Sequence, residues 1–185
     1  MGVVFISGSY GVGKTTVCTG ISHYLGIPSY SASELISNLN NEKYGVNKLV
    51  SDIDLNQYLL SLAVEKALAD DPIIIVDGHS CLLDQTNNVV RIPYDSFSNL
   101  HLKCIVLLKS DPSVITTYLN CRDDKKYQVE TISLLQDNEE EYLKVIANDL
   151  NIPMFVYNME FSNKDIETIA NILKDRVFDE GTIRY

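Results

Sequence analysis

Apolar positions along this chain fall into short unbroken runs separated by longer stretches with helical spacing. Val3–Ser7 is the first run, and Lys14–Leu25 is the helical stretch behind it. Pro28–Ser31 reads as a short second strand, followed by a helix near Glu34–Asn38. No period is visible from Asn40 to Ile53, which predicts a mobile loop. Asp54 then stands as an N-cap before "LNQYLLSLAVEKALA", whose apolar residues recur at helical spacing. Ile73–Val76 is an unbroken β-branched run, the mark of a strand buried on both faces. Val89–Pro93 is expected to be extended, and Lys103–Leu108 to form a further strand. Asp111-Pro112 opens a helix with an N-cap and an N1 proline. A long helical pattern fills Val129–Leu150, Pro153–Tyr157 is the last strand, and Lys164–Arg176 is a closing helix ahead of a frayed "DEGTIRY" tail. Five short buried strands separated by helices predict an α/β fold, a mostly parallel sheet covered on both faces.

The 185 residues suit one domain over 1–185, with no repeat or linker to divide them. A formal net charge of -10 argues against a general nucleic-acid surface or an anionic membrane surface, though a small basic pocket remains compatible with it. No apolar run approaches the about 18 residues of a membrane span. The first strand starts almost at once with no basic segment ahead of it, so no secretory signal is expected and the cytoplasm is the expected location. Cys18, Cys81, Cys104 and Cys121 contain no CxxC pair, and Cys18 and Cys104 fall on apolar positions, which predicts buried reduced thiols.

One stretch changes the picture from fold to chemistry. "GSYGVGKTT" places Gly8, Gly13, Lys14 and Thr15 in the pattern GxxxxGK[ST], between a buried strand and a helix. A tight turn there aims successive backbone N–H groups inward from Gly8 through Tyr10, Gly11, Val12 and Gly13, and the helix N-terminus adds its positive dipole. Lys14 is expected on the β- and γ-phosphates of ATP, Thr15 on Mg²⁺, and Thr16 on the α-phosphate. A second carboxylate for the metal is expected at a neighbouring strand end, and "IIIVDGHS" supplies Asp77 there. His79, just beyond it, is a candidate for contact with an acceptor.

The N-terminal phosphate loop, the VDGHS strand end and the five-strand layout resemble the nucleoside monophosphate kinase group, and within it the archaeal-type adenylate kinases. The resemblance implies a three-layer P-loop NTPase, a parallel sheet in the order 2-3-1-4-5, an acceptor-binding region over about 32–70 and a short lid over about 122–130. Carried across by position, Glu34 matches the acid after strand two, while the arginine that follows it in the family is missing. Gln85 matches the interval of the adenine-reading glutamine, with Cys81 where the family has arginine. Arg122 matches the arginine that ends the strand-four helix, and its usual partner four residues earlier is Tyr118. The resemblance thus makes Lys14, Asp77 and Arg122 the catalytic candidates. Asn158 falls in the loop that contacts the adenine, and Arg91 and Lys48 are candidate replacements for the absent acceptor cations. "DNEEEYLK", Asp137–Lys144, reads as a solvated helix face supported by Glu140 and Lys144.

Three functions follow from these residues. The first is transfer of the γ-phosphoryl of ATP to a nucleoside monophosphate, against which the shortage of arginines counts. The second is transfer to a hydroxyl, where Glu34 or Asp77 would serve as the carboxylate near it. The third is an ATPase or nucleotide-dependent switch within a larger assembly, for which eleven tyrosines would suit a protein partner. Converging cations in the acceptor pocket would favour the first, a carboxylate beside a neutral cleft the second, and a filled pocket the third.

Overall fold

A computed structural model describes residues 1–44, 53–123 and 126–178. Its frame is a five-stranded parallel sheet in the order β2-β3-β1-β6-β7. The strands are β1 (Gly2–Gly8), β2 (Ser29–Ser31), β3 (Ile73–Gly78), β6 (Leu102–Lys109) and β7 (Met154–Asn158). Counted within the sheet, this is 2-3-1-4-5. A separate antiparallel pair, β4 (Cys81–Leu83) and β5 (Val89–Arg91), follows β3.

Strand alternation divides the core into two layers. Val4 and Ile6 of β1, with Val106 and Leu108 of β6, face α1 (Lys14–Leu25) and α7 (Asn163–Arg176) through Val17, Ile21, Ile169 and Leu173. Val3 and Phe5, with Ile74, Val76, Ile105 and Leu107, face the other way. They meet Leu60 and Val64 of α3 (Ile53–Asp70) and Leu135, Leu143 and Ile146 of α6 (Val129–Asp149). A four-residue helix, α4 (Asp95–Ser98), seats Phe97 edge-on to both Phe5 and Tyr142, with ring centroids 5.7 and 6.0 Å apart.

Helix ends are set where the sequence indicates. Asp111 accepts from the Ser113 backbone N–H at 2.8 Å and opens α5 (Pro112–Arg122) with proline in its first turn. Two boundaries differ from expectation. The helix after β2, α2, runs Ala32–Tyr44, so residues 40–44 of the expected loop are helical. Its inner side chains Leu35 and Ile36 pack on the second core layer, a tertiary contact that a mostly polar stretch does not announce. α3 begins at Ile53, so Asp54 lies within its first turn rather than ahead of it. Lys48, Lys125 and the 179–185 tail lie outside the described residues.

Cys18, Cys81 and Cys104 are buried free thiols and Cys121 is an exposed one. Burial pushes the Cys18 and Cys104 thiols up, away from reactive thiolate. Among the described residues no helix is long and apolar enough to cross a membrane.

The start of α7 holds a buried carboxylate with a full complement of partners. Asp165 accepts from the Tyr157 hydroxyl at 2.9 Å, the Glu160 N–H at 3.2 Å and the Ser162 N–H at 2.9 Å, closing a capping box with Ser162. Asp165→Ala strands those donors and is expected to cost about 2–3 kcal/mol of stability. Chemical denaturation at neutral pH measures it, and a loss below about 0.5 kcal/mol would show that these contacts hold nothing.

Candidate active site

β1 is the central strand, and the chain leaves it at Gly8 into a loop that ends at Lys14, the first residue of α1. Gly8 sits too close to β6 for any side chain: a Cβ there would lie 2.6 Å from the Leu108 carbonyl oxygen and 2.8 Å from Val12 Cγ1. Gly13 caps α1 with φ 96°, a left-handed conformation that glycine takes without strain. No side chain caps this end, so the first backbone N–H groups of α1 remain free for an anion.

Lys14 folds back across the loop, donating from Nζ to the carbonyl oxygens of Gly8 at 2.7 Å and Ser9 at 3.0 Å. Burial lowers its pKa to about 8, against the opposing pull of Glu139 and Asp77. The Thr15 hydroxyl donates to Asp77 Oδ2 at 3.3 Å. Parallel register brings this about, since Asp77 lies opposite Ile6 of β1 and Ser31 of β2. A hydroxyl and a carboxylate side by side are hard oxygen donors, the set that suits Mg²⁺. Among the described residues no cluster of three or more His, Cys, Asp or Glu could hold a metal alone, so phosphate oxygens and water would complete the shell.

These groups open onto a cavity of about 630 Å³. Lys14, Thr15, Thr16 and Arg122 line it, together with the polar side chains of Ser31, Ser33, Ser96 and, from α3, Asn56 and Gln57, and the apolar Phe5, Ile36, Leu60, Phe97 and Leu100. Tyr10 and His79 line it too, their ring centroids 4.5 Å apart. Burial lowers the His79 pKa, with Glu139 opposing it.

The remaining expected site residues divide between the cavity and the surface. The Val12 side chain is wholly buried in the core, leaving only its backbone for a ligand. Tyr10 turns toward β4, its hydroxyl accepting from the Leu83 N–H at 3.5 Å, and its side chain also lines the cavity. Arg122 reaches the cavity but is forked onto Asp123, at 2.7 and 3.0 Å. Arg91 pairs with Glu141 at 2.8 Å and covers the Tyr142 ring, and it does not line the cavity. Glu34, exposed in the first turn of α2, complements that helix N-terminus, and its neighbours Ala32 and Ser33 line the cavity in its place. Gln85 is exposed between β4 and β5, away from the cavity. Asn158 is exposed at the end of β7. Its neighbour Met159 approaches the loop, with Cε 3.6 Å from where a Gly13 Cβ would stand.

Sequence reasoning missed Asn56, Gln57 and Ser96, polar residues without a motif. It also placed Glu139 on a solvated face. Glu140 does pair there with Lys144 at 2.6 Å, but Glu139 is wholly buried. Its position is legible in the spacing Ile132, Leu135, Gln136, Glu139, Tyr142, Leu143, Ile146, one continuous inward stripe of α6.

Loop and strand order define the P-loop kinase fold. A model of the AAA domain family matches residues 7–136, and the chain belongs to that family. A cytidylate kinase from Pyrobaculum aerophilum is 26% identical over 194 residues, covering 100% of this chain and 97% of that protein. The deoxyadenosine kinase from M. mycoides is similar in fold, with a TM-score of 0.56 and 24% identity over 94% of this chain and 99% of that one. A shikimate kinase from Bacteroides thetaiotaomicron has a TM-score of 0.53 at 17% identity, covering 94% of this chain and 96% of its own. The enzyme is thus a nucleotide-kinase-like phosphotransferase, and the narrower likeness to archaeal-type adenylate kinases is not what these relatives single out.

Proposed function

We propose that the protein transfers the γ-phosphoryl of ATP to a nucleoside monophosphate bound in the cavity beside β3. The observation that carries this reading is one cavity of about 630 Å³ lined both by Lys14 and the Thr15–Asp77 pair and by uncharged side chains of β2, α2 and α3. The Gly8–Thr16 loop would hold the phosphates through its backbone. Lys14 would leave the Gly8 and Ser9 carbonyls for the β- and γ-phosphates, and Thr16 would meet the α-phosphate. Thr15 and Asp77 would hold Mg²⁺, which when bound neutralises charge on the phosphate oxygens. Arg122 would exchange Asp123 for the transferring phosphoryl group, a role worth about 10³-fold or more in rate where an arginine plays it. Asn158 and Met159 would border the adenine. Ser33, Ile36, Asn56, Gln57 and Leu60 of the cavity lining fall within 32–70, which supports an acceptor region there. The full-length likeness to cytidylate kinases supports a nucleotide acceptor.

One observation favours a second reading, in which the acceptor is a hydroxyl. Among the described residues the only cations lining the cavity are Lys14 and Arg122, and Arg91 is turned away on Glu141. A phosphate acceptor arriving as an anion would have Arg122 alone to share with the transferring group. The open compartment speaks against a pure switch, for which a filled pocket would be expected.

Turnover of ATP with Mg²⁺ is the test, run with nucleoside monophosphates and nucleosides while ADP and phosphorylated products are both followed. A phosphorylated monophosphate is the expected product. A phosphorylated nucleoside would replace the first reading with the second, and free phosphate without acceptor dependence would overturn both. Lys14→Ala should abolish turnover while the melting temperature holds, because desolvating this half-buried ammonium is itself a cost to the fold. Asp77→Asn should lower turnover at saturating Mg²⁺ by about 10²-fold or more while nucleotide affinity changes far less. Equal losses in both would move the metal site elsewhere.

A further inference from the structure

Glu139 is wholly buried, and neither of its carboxylate oxygens has a hydrogen-bond partner. A buried carboxylate left in this state is costly, so an apolar residue would pack better at this place in the inward stripe of α6. The helix is pinned on either side of it. Three residues before, the Gln136 amide donates to the Ser110 carbonyl and accepts from the Ser110 N–H, both at 3.0 Å. Three residues after, the Tyr142 hydroxyl donates to the Ile92 carbonyl at 2.7 Å. Both clamps fix α6 to the strand ends around the cavity, so Glu139 has little freedom to seek another partner.

One group faces it. His79 Nδ1 lies 3.9 Å from Glu139 Oε1 and is itself buried without a hydrogen-bond partner. Lys14, the nearby cation, makes no hydrogen bond to Glu139 and gives two of its three donors to the Gly8 and Ser9 carbonyls. The imidazole is held in place by the Tyr10 ring and lines the cavity. An approach on the order of 1 Å would turn the contact into a charge-assisted hydrogen bond.

We infer that Glu139 is a positioning residue for phosphoryl transfer: it holds the Nδ1–H of His79, so that the ring presents a bare Nε2 to the acceptor. The inference rests on the kinase reading above. A carboxylate on one imidazole nitrogen fixes both the tautomer and the orientation of the ring. The lone pair on Nε2 then accepts a hydrogen bond from a hydroxyl or amino group of the acceptor, and the acceptor is aligned rather than merely enclosed.

The test compares Glu139→Leu and Glu139→Gln with the wild type by three readouts. Thermal melting should show Glu139→Leu at least as stable as wild type, because an unpartnered buried carboxylate has been replaced by apolar bulk. The acceptor-dependent kcat should fall on the order of 10²-fold in Glu139→Leu with KM for ATP unchanged. Glu139→Gln, whose amide oxygen can still accept from Nδ1–H, should recover a large part of it. Long-range ¹H–¹⁵N spectra, with His79 assigned by its loss in His79→Asn, should show the Nδ1–H tautomer in wild type and its loss in Glu139→Leu. Unchanged kcat in Glu139→Leu, a loss of kcat that follows a loss of stability, or an Nε2–H tautomer in wild type would each overturn the inference. If the wild type phosphorylates no acceptor, the kinase reading fails. The ring spectra still decide whether Glu139 holds His79.

Discussion

The parallel register of β1 against β3 is the constraint on which the ligand-facing edge depends. It sets Asp77 opposite Ile6, two residues before the chain turns out of the sheet at Gly8. A loop of fixed length then returns Thr15 to within 3.3 Å of that carboxylate. A one-residue slip would turn every side chain of β3 to the opposite face, burying Asp77 in a core layer and separating the pair. The β-branched run Ile73–Val76 resists such a slip, because each face of β3 is packed against its own helices.

Buried charge is handled in two contrasting ways within this one domain. Asp165 is almost wholly buried and fully satisfied, with three donors around it, and its work is to hold the start of α7. Lys14 is half-buried and Glu139 wholly buried beside the cavity, each with its needs only partly met. Lys14 leans on backbone carbonyls that a phosphate could displace, and Glu139 has no hydrogen-bond partner at all. A protein selected for stability alone would replace both. Local violations of polar satisfaction concentrated at one cavity are where function is expected to override folding.

Of the cations expected at the site, Arg91 and Arg122 are both held by carboxylates, and only Arg122 also lines the cavity. Arg91 is a cap on Tyr142 and a partner for Glu141, and Arg122 is forked by its sequence neighbour Asp123. Exposed pairs of this kind hold side chains only weakly, by about 0–1 kcal/mol, so Arg122 can leave Asp123 when a stronger anion arrives. Arg91 would have to abandon its ring contact as well. The cavity is consequently uncharged over most of its wall, which makes its amides and hydroxyls the groups that distinguish one acceptor from another.

The chain by itself determined the layout: the runs at Val3–Ser7, Ile73–Val76 and Lys103–Leu108 could only be buried strands, and Asp111-Pro112 could only open a helix. It also determined the phosphate loop, because glycine spacing and the lysine that follows are local requirements of backbone geometry. Asp77 was legible because it ends the most apolar strand. What is decided in three dimensions is which surface residues share a cavity. Glu34, Gln85, Arg91 and Asn158 had the right residue types at the right intervals, yet the packing of their elements leaves them exposed and outside the cavity lining. Asn56, Gln57 and Ser96 carried no motif and were turned in. Glu139 stood between the two: helical periodicity placed it on the inward stripe, while its charge suggested solvent. Only the packing of α6 between β4 and the sheet decided that it is buried, since a residue's environment is set by the elements that close over it and not by its own chemistry.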